Sequence, residues 1–222
     1  MPIFYLVATF VLVGVWRILD WPQGDELIKL VRGLFAQYGI WFVLVSAILE
    51  GLVLVNIYVP CSFVIVMAVI LARGDPLRAA LSVVATQCGF LLSSFVNYGI
   101  GILGLAPLIE KFPAGASLTK RAEAWQMKWG AMAIGLSYWH PNFGAFAAVN
   151  AGKGRVPFPL FLKWVIPAIV AWNTLFGLLF YFFAPRAEAA ASSTPILFVQ
   201  AIFGVWATTA FLLGFFRASS RK

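Results

Sequence analysis

Long apolar runs separated by short polar segments make up nearly the whole chain, and the positions of the breaks predict its elements. Ile3 to Leu19 is apolar and closes on Arg17, Asp20 and Trp21; at 1.5 Å per residue it is about 26 Å long, a slightly short span. Asp25 to Tyr38 places Leu27, Leu30, Val31, Leu34, Phe35 and Tyr38 on one helical face and Asp25, Glu26, Lys29 and Arg32 on the other. That is an amphipathic helix lying in a membrane surface or against the edge of a core. Ile40 to Ala72 carries one charge, Glu50, and one break, Pro60-Cys61-Ser62. As a single helix it would be about 50 Å long, too long for a hydrocarbon core of about 30 Å and too short for two spans and a turn. A re-entrant hairpin of two short arms fits, with its tip facing protein or water.

Leu77 to Gly104 reads as a long span with a polar middle of Gln87, Ser93, Ser94 and Asn97. Pro107 to Trp129 is loop and then an interfacial helix, with Leu118, Ala122, Trp125 and Trp129 on one face and Lys120, Arg121 and Lys128 supplying charge. Gly130 to Gly152 would make one span, but Ser137-Tyr138-Trp139-His140-Pro141-Asn142 interrupts its centre. Proline removes a backbone donor and clashes with the preceding turn, so a second re-entrant element is expected. Phe158 to Phe183 and Ile196 to Phe216 are spans joined by the polar loop Ala184 to Pro195.

These segments form a weak internal repeat. Tyr38-Gly39 followed by Ser46 matches Trp129-Gly130 followed by Ser137, and each unit runs amphipathic helix, broken apolar hairpin, long span. Two such units entering from opposite sides make the inverted repeat of many transporters. The expected fold is an all-α polytopic membrane protein with two re-entrant hairpins, interfacial helices and about four full spans. It is one membrane domain, 1–222: a first span and loop (1–24), two repeats (25–104 and 105–184) and a last span (195–216).

Composition makes the membrane class firm: 62% hydrophobic and 11% charged residues, where soluble domains carry about 25% charged, with a mean hydropathy of +0.93. The net charge of +8 lies in short loops, which reads as positive-inside bias and attraction to anionic headgroups, not as a nucleic-acid surface. Lys111, Lys120, Arg121, Lys128, Lys153, Arg155, Arg217, Arg221 and Lys222 fall on one side of the expected topology. Arg17, Lys29, Arg32, Arg73, Arg78 and Arg186 fall on the other, which puts both termini in the cytoplasm of a bacterial inner membrane. No basic residue precedes Arg17 and no A-x-A site follows, so a retained first helix is expected. Cys61 and Cys88 sit in apolar stretches and are expected as buried free thiols.

Glu50 is the most informative polar position. An ionised carboxylate at membrane depth costs several kcal/mol, so it must be neutral, paired or beside water. It is either a proton- or cation-sensing acid or a helix-packing acid bonded to a hydroxyl. His140 is the only histidine, which excludes a multi-histidine metal site; beside Pro141 it can contact a phosphate, relay a proton or simply lie satisfied at an interface. Ser62 and Asn142 each follow a proline break, at Pro60 and Pro141, and can cap a second hairpin arm whose free N–H groups face an anion. Lys163 lies one to two turns inside a span, where it snorkels to the interface or meets a headgroup. No paired carboxylates, nucleophile elbow or phosphate-cradling glycine loop is present, so no enzyme chemistry and no cofactor are indicated.

The ordered pattern Glu50, Pro60, Tyr98-x-x-Gly101-x-x-Gly104, Gly130, Pro141, Ala151-Gly152-x-x-Arg155, Phe161 and Trp172 resembles the DedA family, also called the SNARE-associated or VTT-domain family, over roughly Phe35 to Trp172. The resemblance implies paired re-entrant hairpins and movement of lipids, undecaprenyl phosphate or phospholipids, across the bilayer, with proton coupling in some members. The chain is divergent. Ser62 and Cys61 stand where the family has an acid and a glycine, Ser94 where it has a second acid, and Tyr138 and Gly144 where it has two arginines. A tyrosine and a glycine cannot reproduce the bidentate fork by which arginine reads phosphate. The function expected is that of a lipid flippase or scramblase gated by Glu50, with Ser62, Tyr138, His140 and Asn142 lining the headgroup cavity. The alternative is a non-transporting adaptor that recruits or stabilises a lipid-processing enzyme. Membrane lipids are the expected partners, and a protein partner or homo-oligomer is left open.

Overall fold

The computed structural model describes residues 25–56, 63–72, 74–138 and 143–190, and every regular element among them is helical. In chain order these are α1 (Asp25–Tyr38), α2 (Ile40–Gly51), α3 (Val53–Asn56), α4 (Phe63–Leu71) and α5 (Pro76–Ile102). They continue with α6 (Ala106–Glu110), α7 (Pro113–Trp129), α8 (Met132–Ser137), α9 (Phe143–Lys153) and α10 (Phe158–Ala190). The expected first and last spans, Ile3 to Leu19 and Ile196 to Phe216, lie outside the described residues. Residues through Gln37 and residues from Tyr38 belong to two compact units. The first contains the amphipathic helix α1, which ends where Gly39 takes φ 56°, a conformation that favours glycine.

In the second unit α5 is the central element. Asp75 caps it by accepting a hydrogen bond from the Arg78 N–H at 2.9 Å, and Pro76 occupies the first turn, where its missing donor costs nothing. Its 27 residues make about 40 Å of helix, enough to cross a bilayer core with some tilt. Gly104, at φ 71°, turns the chain out beyond its end. Among the described residues the other helix of this kind is α10, and Pro76–Ile102 and Phe158–Phe182 are each long and apolar enough to cross a membrane. A third span is counted if α1 from Lys29 and α2 are taken together. Helix α10 runs on to Ala190, past the expected loop start at Ala184, because Ala187, Glu188, Ala189 and Ala190 are strong helix formers.

The remaining apolar helices are short. The 12 residues of α2, 9 of α4 and 11 of α9 reach only about 14 to 18 Å, less than the core thickness. Both α2 and α9 pack against α5. Glycine makes these crossings close: Gly89 of α5 abuts Ala47 and the Leu44 carbonyl, and Gly101 abuts the Val149 carbonyl while Gly152 abuts that of Tyr98. Packing through small residues is how helices associate where lipid is the solvent.

The surface of α5 is inverted relative to a water-soluble helix. Ser82, Thr86, Ser93, Ser94 and Asn97 are buried, whereas Leu77, Leu81, Val84, Leu92 and Val96 are exposed. On α10, Ile166, Val170, Leu178 and Phe182 likewise face outward. Apolar outside and polar inside is the arrangement a lipid surround favours. Cys88 is free, as expected, but exposed on this apolar surface and not buried. Half of the expected apolar face of α7 turns inward: Leu118 and Ala122 are buried, while Trp125 and Trp129 are exposed.

Candidate functional site

Helix α2 stops at Gly51, Leu52 is extended (φ −67°, ψ 133°), and α3 restarts at Val53. Such a break frees backbone groups that must find partners inside the protein. Asn97 of α5, with 0% exposure, supplies them. Its side-chain amide donates to the Gly51 carbonyl at 2.9 Å, and its oxygen accepts the Val53 N–H at 3.0 Å. Asn97 therefore bridges both sides of the break.

Glu50, one residue before the break, is 3% exposed. Its Oε2 accepts the Val64 N–H at 3.1 Å. Val64 is the second residue of α4, so the carboxyl group sits at a helix N-terminus, where unpaired N–H groups and the macrodipole favour negative charge. The Asn56 amide donates to the Glu50 carbonyl at 3.4 Å. Glu50 is thus a staple between the end of α2 and the start of α4.

Across α5 lies Tyr138, at the end of α8. Its hydroxyl donates to Ser94 Oγ at 2.7 Å, and Ser94 donates to the Phe90 carbonyl at 2.6 Å. A side chain at Gly144 would strike the Tyr138 ring, so that glycine makes the space the ring fills. Between the two sides is a cavity of about 40 Å³ with a mostly apolar wall, including Phe90, Ala145, Ile169 and Trp172, into which Asn56, Ser93, Ser94, Tyr138 and Asn173 bring polar groups. At about 10–15 Å³ of such volume per water, it has room for roughly three waters. Ser93 lies four residues, or about 6 Å, from the middle of α5, so these polar side chains are deep within a membrane-length helix.

Of the residues singled out from sequence, Tyr138 lines this cavity, and Glu50 directly precedes Gly51, which lines it too. Ser62, His140 and Asn142, with the breaks Pro60 and Pro141, fall outside the described residues. Lys163 is exposed on α10 and does not line the cavity. Sequence reasoning passed over Asn56 and Asn173. Asn173 is an amide in the middle of an apolar run, and Asn56 lies in the run that holds Glu50; an isolated amide at membrane depth was the available signal. Among the described residues there is no cluster of histidine, cysteine or acidic side chains able to hold a metal ion.

A second charged group closes the far end of α9. Lys153 Nζ meets Glu123 of α7 at 2.7 Å and Glu110 of α6 at 3.3 Å, with all three side chains partly exposed. The hydrogen bond that Lys153 donates to Glu123 raises its pKa above the usual 10.5; burial opposes this, and the charge of Glu123 and the hydrogen bond and charge of Glu110 reinforce it. Nearby, the Tyr98 hydroxyl donates to the Val156 carbonyl and its ring stacks on Phe161 at 4.6 Å, tying α5 to the start of α10. Comparison with protein-family models, with curated proteins and with solved structures finds no match for this chain.

Proposed function

We propose that this protein moves a membrane lipid across a bacterial inner membrane, acting as a divergent member of the DedA family. The observation that carries the reading is the small cavity near the middle of α5, whose largely apolar wall carries the polar side chains of Asn56, Ser93, Ser94, Tyr138 and Asn173, placed where short apolar helices stop on either side. A lipid headgroup crossing a core of about 30 Å needs polar groups at that depth. As it stands the cavity admits only a few waters, so passage requires α2–α4 to part from α8–α9. Glu50 controls that step. Its carboxylate holds the N-terminus of α4 by a charge-assisted bond, and protonation removes the charge and weakens the staple.

Parallels between the two halves support an inverted repeat with re-entrant hairpins. Gly39 (φ 56°, ψ −131°) and Gly130 (φ 57°, ψ −143°) take nearly the same rare conformation. Each opens a short apolar helix, and each half ends in a membrane-length one. Three of the five departures from the family pattern also form one cluster, with Tyr138 meeting Ser94 through its hydroxyl and Gly144 through its ring. A neutral, mutually fitted set thus stands where the resemblance places an acid and two arginines. That suits a headgroup read through hydroxyl and amide groups more than one read by its phosphate charge. The test is translocation of fluorescent phospholipid and polyprenyl-phosphate analogues by the purified protein in liposomes. Flux above protein-free liposomes is expected, larger for the phospholipid; absence of flux, with a copurifying lipid-processing enzyme, would replace the reading with that of an adaptor.

A further inference from the structure

Helix α5 ends at Ile102, and the contacts there draw α6, α7 and the turn after α9 together. Gly101 abuts Gly152, Lys153 holds Glu110 of α6 and Glu123 of α7, and Gln126 Nε2 comes within 3.7 Å of where a Cβ on Gly154 would stand. Between Leu103 and Pro157 the chain carries six cations, Lys111, Lys120, Arg121, Lys128, Lys153 and Arg155, against two acids, Glu110 and Glu123. The balance is +4. Lys153 engages both acids, so among the described residues the other five cations have no carboxylate partner. On α7 they are interleaved with apolar and aromatic side chains. Lys120, Arg121, Trp125, Met127, Lys128 and Trp129 are exposed, while Leu118, Thr119 and Ala122 turn inward. The Lys128 ammonium lies 5.4 Å over the Trp129 ring and the Arg121 guanidinium 5.1 Å over that of Phe143, contacts that steady a cation without cancelling its charge.

We propose that the outward face of α7, with Lys111 before it and Arg155 beside it, docks anionic phospholipid headgroups of the leaflet at the C-terminal end of α5. Charge complementarity selects the occupant. Uncompensated lysine and arginine add to the attraction of a negatively charged leaflet, and exposed indole rings anchor at headgroup level. The face also lies where a helix long enough to cross a membrane ends, and an amphipathic helix with a basic polar side suits that boundary. Arg155 is an independent observation. Among the described residues it is the one non-glycine with positive φ, at 50°. It closes α9 with its own N–H on the Gly152 carbonyl at 3.0 Å and the Val156 N–H on the Ala151 carbonyl at 2.9 Å. Glycine makes this closure without strain. An arginine there bears strain, and its exposed side chain adds a cation to the same end of the molecule. The docking surface requires a membrane location and is independent of whether lipid is transported.

The test is photolabelling of the full-length protein in phosphatidylcholine vesicles that hold a trace of phosphatidylglycerol with a diazirine on its headgroup. The same diazirine on phosphatidylcholine is the neutral probe, and labelled peptides are mapped by mass spectrometry. The charged probe should label segments 111–129 and 153–158 at least about fivefold more than the neutral one, the worth of one cation near an anionic headgroup. Raising the salt from about 0.1 to about 1 M, where the Debye length falls from about 10 to about 3 Å, should shrink that ratio. Lys120→Gln, Arg121→Gln and Lys128→Gln together should bring the ratio on 111–129 close to one, whereas Arg78→Gln, at the other end of α5, should leave it unchanged. Arg155→Gly should raise the thermal unfolding temperature and lower the ratio on 153–158; a purely structural residue would do only the first, and that result would take Arg155 out of the site. Equal labelling by the two probes at low salt, or a ratio that survives the triple substitution, would overturn the proposal. So would a face without label that crosslinks, through Ala124→Cys, to a second copy or another protein.

Discussion

Replacing Asn97 by leucine tests whether the break between α2 and α3 is held by a single side chain. The substitution is close in volume but removes both partners of the break, the acceptor 3.0 Å from the Val53 N–H and the donor 2.9 Å from the Gly51 carbonyl. Asn97 is fully buried, so water cannot take over. Leaving two buried backbone groups unpaired costs about 2–6 kcal/mol at roughly 1–3 each. Interhelical bonds in membrane proteins measured by double-mutant cycles average about 0.6 and reach about 1.7 kcal/mol, which for two gives about 1–3. The ranges overlap near 3 kcal/mol, and we expect a loss of about that size. The assay is thermal or denaturant unfolding in detergent, followed by loss of the monodisperse peak in size-exclusion chromatography. Gln87→Leu on the same helix is the control, because its bond to Thr174 is exposed and should contribute less than about 1 kcal/mol. If Asn97→Leu were as stable as Gln87→Leu, the clamp would not be what holds the break.

Three further outcomes follow from the packing and the charges. Gly101→Ala should destabilise by about 1–3 kcal/mol, since its Cβ meets the α9 backbone, while Gly99→Ala, two residues away with open space around it, should be neutral or slightly stabilising; equal effects would contradict the close crossing. Lys153→Met should cost no more than about 1 kcal/mol, because its partners are partly exposed and screened by water and salt. Its raised pKa means that this contribution is fully present below pH 10.5 and is lost only as the pH rises through the folded-state value, so the difference between Lys153→Met and the parent should not vary between neutral and mildly alkaline pH in unfolding experiments. Tyr138→Phe should leave the fold intact but lower lipid flux, since it removes the hydroxyl bound to Ser94; undiminished flux would take Tyr138 out of the path.

The helical class and most element positions were legible because hydrophobic runs and proline or glycine breaks report directly on what the backbone can do. Pro76 and Ile102 bound α5 within two residues of the expected span, and Gly39 and Gly130, the landmarks of the expected repeat, both fall at helix boundaries with positive φ. The inward turn of Leu118 and Ala122 was not legible, since an apolar stripe looks the same whether it meets lipid or protein. The exposure of Cys88 has the same origin: in lipid, an outward apolar position costs nothing. At the site, Glu50 stood out because a charge in an apolar run has few explanations. Its partner, the Val64 N–H, could not be read from sequence, because backbone donors carry no signature of their own. Asn97 was visible as part of a polar stripe, but its bridge across Gly51 and Val53 depends on how α2 crosses α5, which Gly89 and Ala47 settle only in three dimensions.

The most direct measurement is the pH dependence of lipid flux in liposomes for the parent protein and for Glu50→Gln. If the Glu50 staple gates the cavity, the parent's flux rises as the pH falls, and Glu50→Gln, which cannot carry the charge, gives flux with little pH dependence. Parent and Glu50→Gln profiles that coincide, or no flux from well-folded protein with either lipid class, would contradict it.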